Sequence, residues 1–200
     1  MNEETAARVV PLTTPARLTY IATTSLDGFI QDDEGSIDWS PPSDDVHSFI
    51  NDLCRPIGTF LFGRLMYETM VYWETAQTRP DRPANASDFA GIWQAADKIV
   101  YSKTLDTVRS AGTRLERDFD ADQVRQMKAT ATRDINVGGS ELGGQALKDG
   151  LVDDLHMFVV PIVLGGGKRY LPAGLRAKLE LVDERRFAGG TVYLHYRVSR

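Results

Sequence analysis

The sequence predicts an α/β domain with a mainly parallel central sheet and an antiparallel hairpin at its edge. Three observations carry that expectation. Apolar, strand-like runs alternate with helix-like segments through most of the chain, the order that builds a parallel sheet through helical crossovers. Two of those runs, Phe60 to Phe62 and Ile135 to Val137, pass straight through glycine into a helix. Two alternating runs, Leu179 to Arg186 and Thr191 to Arg197, flank Gly189-Gly190 near the end of the chain and read as a hairpin.

Taken in order, residues 1–16 are polar, carry Pro11 and Pro15, and are expected to form a flexible arm before one domain over residues 17–200. Arg17 to Thr24 alternates as a first strand. Ser25 to Trp39 is rich in Gly and Asp and reads as a long loop. Ser43 is expected to cap a helix through Cys54, with Asp44 and Asp45 in its first turn. Thr59 to Phe62 is a buried strand, and Gly63 to Glu68 turns from it into a helix. Gln77 to Ser87 reads as a proline-bearing surface loop, Asp88 to Ala96 as a helix, and Lys98 to Ser102 as a strand. A short strand is expected at Thr113 to Leu115 and a helix with a polar face at Asp120 to Ala131. After Gly138-Gly139, Gly143 to Gly150 is helix-like. Asp154 to Val163 is a strand into which Pro161 intrudes, which predicts an edge or a bulge. Leu164 to Lys168 is a glycine loop.

Composition excludes several classes. The net charge is −5 and no basic run occurs, so nucleic acid and anionic membrane are disfavoured as partners. Cys54 is the single cysteine; no intrachain disulfide is available, and a reducing cytoplasm fits. The first residues are polar and acidic, without a signal-peptide core, and no apolar run reaches membrane-spanning length. His47, His156 and His195 lack metal-ligand spacing, so no metal site is expected. The first strand is not followed by G-x-G-x-x-G, and neither a P-loop nor a G-x-S-x-G elbow is present.

The glycine junctions are the candidate site. At Gly138-Gly139 missing side chains let a ligand approach the backbone, and the free N–H groups of the next helix favour phosphate. A tight turn with no ligand is the plain alternative. Arg64, at the start of the other helix, and Ser102-Lys103, at the end of a strand, could hold a ribose 2′-phosphate; the plain alternative is exposed surface charge. In the first loop, Asp27 precedes Gly28. Trp39, Asp45 and Phe49 follow, a carboxylate among aromatics suited to the edge of a heterocycle and to proton relay.

Together these segments resemble the dihydrofolate reductase-like fold. They are most similar to the C-terminal reductase domain of the bifunctional riboflavin-biosynthesis deaminase/reductase. The matching segments are SLDGFI at Ser25 to Ile30, FLFGRLMYE at Phe60 to Glu68, KIVYSKTL at Lys98 to Leu105, INVGGSELGGQAL at Ile135 to Leu147, and GLVDDLHMFVVPIVLGGGKRYL at Gly150 to Leu171. The resemblance implies a three-layer domain and an NADPH-dependent reductase. Its hydride would go to a small nitrogen heterocycle or related imine or carbonyl, as in 5-amino-6-(5-phosphoribosylamino)uracil or dihydrofolate reduction. A non-catalytic NADPH-binding or sensing module is the alternative. By matching position, Gly63, Arg64, Leu65 and Met66 would lie at the adenosine and pyrophosphate end, and Ser102 and Lys103 at the 2′-phosphate. Gly138, Gly139, Ser140, Glu141 and Leu142 would cradle the pyrophosphate, and Ala22 and Thr23 would face the nicotinamide. Asp27 and Asp45 are the candidate catalytic acids; Trp39, Asp45 and Phe49 are the candidate substrate contacts. Lys168 and Arg169 are candidates for a substrate phosphate. A homodimer is expected, both by resemblance and because the hairpin leaves an edge to cover. Arg64-Leu65-Met66 departs from the Arg-His-Thr or Arg-Lys-Thr of dihydrofolate reductases and loses two polar cofactor contacts.

Overall fold

The computed structural model describes residues 15–76 and 83–199. The arm at residues 1–14 and the loop at residues 77–82 lie outside the described residues. In chain order the elements are β1 (Leu18–Thr24), β2 (Phe29–Gln31), α1 (Asp44–Cys54), β3 (Ile57–Gly63), α2 (Arg64–Met70), a 3-10 turn (Val71–Glu74), α3 (Ala84–Ala95), β4 (Asp97–Tyr101), β5 (Thr113–Glu116), α4 (Ala121–Thr130), β6 (Asp134–Gly138), α5 (Ser140–Lys148), β7 (Asp154–Val159), β8 (Lys168–Arg169), β9 (Lys178–Arg186) and β10 (Val192–Ser199).

Eight strands form one sheet in the order β5-β4-β3-β6-β1-β7-β10-β9. From β5 to β7 all neighbours are parallel. β10 runs antiparallel to β7 and pairs with the edge strand β9. Helices cover both faces, which is why the inner strands read as unbroken apolar runs. On one face Phe60, Phe62 and Val100 pack with Cys54, Tyr67, Phe89 and Trp93 from α1, α2 and α3. On the other, Tyr20, Leu61, Ile135 and Val137 pack with Val124 of α4 and Leu142, Ala146 and Leu147 of α5.

Several sequence expectations change. The first loop contains β2, which pairs with β8; strands this short carry no readable alternation. The proline-bearing loop ends early, because α3 starts at Ala84, and the Pro83 carbonyl accepts the N–H groups of Ala86 and Ser87. Ser43 sits at the N-cap of α1 but makes no side-chain cap; its hydroxyl donates to Asp45 instead. Pro161 lies beyond the end of β7, and β7 is an inner strand between β1 and β10. Ala16, assigned to the arm, is buried and donates its N–H to the Lys128 carbonyl. α5 begins at Ser140, directly after the glycine pair.

Candidate functional site

β3 and β6 are neighbours, with Phe62 opposite Gly138. The helices that follow them leave on opposite faces: α2 packs with the Phe60 and Phe62 cluster, α5 with the Leu61 and Val137 cluster. Such a divergence opens a crevice at the carboxyl ends of parallel strands. Glycine is required there by close packing. A Cβ on Gly138 would stand 2.8 Å from the Phe62 ring, and one on Gly139, whose φ is +89°, 3.3 Å from Met66. The two junctions therefore touch through Met66. Gly63 and Gly139 cap α2 and α5, and neither helix start has a side-chain cap. The first intrahelical bond of α5 runs from Gly143 N–H to Gly139 C=O. The N–H groups of Ser140, Glu141 and Leu142 are left facing the crevice mouth, where the helix dipole favours an anion. The Leu142 side chain is in the core, so only its backbone is on offer.

One strand further out, a turn at residues 102–105 gathers cations. The buried Ser102 Oγ accepts the N–H groups of Thr104 (3.3 Å) and Leu105 (3.0 Å), which tightens the turn. Arg64 spans to it, donating 2.9 Å to Thr104 Oγ1 and 2.8 Å to Glu68. Lys103 is paired with Asp118 at 2.9 Å, both ends in water. Arg117, which the sequence reading missed, donates to the carbonyls of Ser102 (3.1 Å) and Leu105 (2.7 Å). It has no carboxylate partner among the described residues. Its guanidinium is thus fixed and its charge uncompensated, whereas Arg64 and Lys103 each have an acidic partner.

Ala22 and Thr23 lie half-buried near the end of β1. Beyond them β2 and β8 form a small flap. Asp27 locks it: its carboxylate accepts the Ser25 hydroxyl (2.7 Å) and the N–H groups of Leu164 (3.1 Å) and Gly165 (2.7 Å). The Ser25 bond first, then those backbone donors, pull its pKa down to about 2. Asp27 is thus an ionised clamp between the SLDG and LGGG loops. Tyr20 and Tyr170 stack at 4.4 Å, and each hydroxyl donates to the other's carbonyl, which roots the flap on β1. Lys168 reaches Glu141 on α5 at 2.7 Å, and Arg169 lies over the Phe29 ring. At the flap tip Leu26 and Val163 are 67% and 65% exposed, an apolar rim beside the crevice.

Asp45 and Phe49 lie on α1 as expected, but the group expected around them is not assembled. Phe49 packs against Phe158, Phe187 and Tyr193. Trp39 is not among those rings; its indole N–H donates to the Ser36 carbonyl in its own loop. Asp45 is exposed, and the Ser43 hydroxyl first, then the Val46 N–H and Arg185, hold its carboxyl below the usual range. Arg185, also missed from sequence, caps the Phe49 ring at 5.0 Å.

The sequence profile described as the RibD C-terminal domain matches residues 16–193. The chain belongs to the RibD C-terminal domain family. The uncharacterised protein YyaP of Bacillus subtilis strain 168 is 27% identical over 174 residues, 86% of this chain and 89% of that one. Among solved structures, a Shewanella sp. PV-4 protein named for riboflavin biosynthesis superimposes with a TM-score of 0.71 at 20% identity, covering 92% of this chain and 99% of that one. The Thermotoga maritima diaminohydroxyphosphoribosylaminopyrimidine deaminase/5-amino-6-(5-phosphoribosylamino)uracil reductase gives 0.65 at 15% identity, over 92% of this chain and 57% of that one. The RibD-like fold expected from the sequence is the fold observed, and the family supports a reductase-like role. No helix among the described residues is long and apolar enough to cross a membrane.

Proposed function

We propose that this chain is an NADPH-dependent reductase that delivers a hydride to a small nitrogen heterocycle or a related imine or carbonyl. The carrying observation is the pair of uncapped helix starts, α2 and α5, that meet at the β3–β6 crevice through Met66 and the glycine pair. In this reading Ser140, Glu141 and Leu142 N–H groups hold the pyrophosphate. Arg64 and Arg117 hold the 2′-phosphate at the 102–105 turn, with Ser102 fixing that turn and Lys103 at its rim. Ala22 and Thr23 border the nicotinamide, and the Asp27-locked flap excludes water. The bound cofactor supplies the hydride; the protein orients it and shields it. The substrate lies against α1, where Asp45, Phe49 and Arg185 present charge beside an aromatic face. Riboflavin-pathway reduction of 5-amino-6-(5-phosphoribosylamino)uracil type and dihydrofolate-type reduction are the two chemistries to screen.

A second reading is a module that binds NADPH without turnover. In it Asp27 serves only as the clamp between the two loops. We also propose a homodimer. Leu179 and Leu181 on the edge strand β9 are exposed beside Tyr196 and Val198, to which they are paired, and an open apolar edge recruits a partner strand.

Calorimetric titration with NADPH, and with NADH as control, tests the cofactor reading. Preferred NADPH binding supports it; no binding of either dinucleotide overturns it. Single-turnover oxidation of bound NADPH across the substrate panel then separates reductase from binding module.

A further inference from the structure

A cavity of about 530 Å³ opens at the amino ends of the strands, across the sheet from the crevice. It lies between the residues leading into β1 and β7, the second half of α4 and the end of β10. Its charged lining is Arg17, Arg125, Lys128, Arg197 and Asp153. At its base Lys128 pairs with Asp153 at 2.6 Å and donates to the Leu151 carbonyl at 2.7 Å, so these two charges cancel. Of the three arginines, Arg125 and Arg17 also have acidic partners, and Arg197 has none among the described residues. Arg125 is held by Asp122 and the Asp149 carbonyl. Arg17 binds Asp154 through Nε, and the same carboxylate also pairs with His195 at 2.9 Å. Arg17 Nη2 is buried and has no acceptor among the described residues. Arg197 stands opposite Asp154 in the β10–β7 register, and its side chain makes no hydrogen bond or ion pair among the described residues.

A buried donor without an acceptor is costly, and such a group in a folded protein calls for a partner. Overall basicity does not explain the cluster, because the chain carries a net charge of −5. We propose that this cavity is a binding site for a small phosphate-bearing anion, held by the guanidinium groups of Arg17 and Arg197 with Arg125 beside them. Guanidinium forks match tetrahedral oxyanions, and the volume suits a ligand of that size. The site shares no residue with the crevice and stands apart from the reductase reading.

The test is calorimetric titration with inorganic phosphate at fixed ionic strength, balanced with chloride. One saturable site is expected. Arg197→Ala, which removes an exposed and unpaired side chain, is expected to weaken binding about tenfold with an unchanged circular dichroism spectrum. Arg117→Ala, at the other end of the sheet, leaves this site intact. The proposal is overturned by the absence of saturable binding, by wild-type affinity in Arg197→Ala, or by a loss of binding that follows Arg117→Ala instead.

Discussion

Arg117 and Lys103 separate what single residues disclose from what only their neighbours decide. Lys103 is visible in the sequence because it follows the strand Lys98 to Ser102 directly, and Arg64 because it follows Gly63. Arg117 follows a four-residue strand, and its donors go to backbone carbonyls, which no side-chain pattern announces. Preorganisation should then set the ranking. Arg117→Ala is expected to weaken NADPH binding about tenfold and leave NADH nearly unchanged, whereas Lys103→Ala, which loses only an exposed pair, changes NADPH affinity less than threefold. Equal effects in paired titrations would reverse that ranking. Gly138→Ala places a methyl against the Phe62 ring and is expected to destabilise the fold by about 1–3 kcal/mol. An unchanged urea midpoint would mean that the ring moves aside freely.

The flap is legible as two motifs but not as one element. SLDG and LGGG lie far apart in the chain, and the bond from Leu164 N–H to Asp27 spans 137 residues. β2 and β8 have three and two residues, too few for a period. The larger elements were readable because they obey one rule each: apolar runs for the inner strands, and a glycine start for α2 and α5. Asp27→Asn should loosen the flap, seen as faster amide exchange at Leu164 and Gly165 with the core unchanged. Acid should act likewise. The folded pKa of about 2 lies below the unfolded value of about 3.9, so the clamp is complete above about pH 4 and is lost as pH falls towards 2. Exchange at those amides that stays slow in the variant would remove the clamp from the account.

At the scale of the molecule, the alternation of strands and helices gives the parallel sheet, while the strand order needs tertiary contacts. Nothing local says that β6 inserts between β3 and β1, yet that insertion makes the crevice. A buried polar group on the same sheet sets a pH dependence. Burial first, then the charge of His195, pushes the His156 pKa down to about 4. Below about pH 6.5 the unfolded chain takes up a proton that the folded chain refuses until about pH 4, so stability falls with pH by at most about 1.4 kcal/mol per unit from this group. Urea midpoints at pH 7 and pH 5 should differ in that direction; identical midpoints would argue against a neutral, buried His156. The proposed homodimer belongs to this scale too. Leu181→Lys, on the exposed edge strand, is expected to shift the sedimentation profile to monomer, and a profile identical to wild type would place the partner surface elsewhere.

The central claim is that the β3–β6 crevice binds NADPH. Amide hydrogen exchange with and without saturating NADPH tests it most directly. Protection of Ser140, Glu141 and Leu142, joined by the turn at residues 102–105, is the predicted result. NADPH binding that leaves those amides unchanged, or no NADPH binding at all, would contradict it.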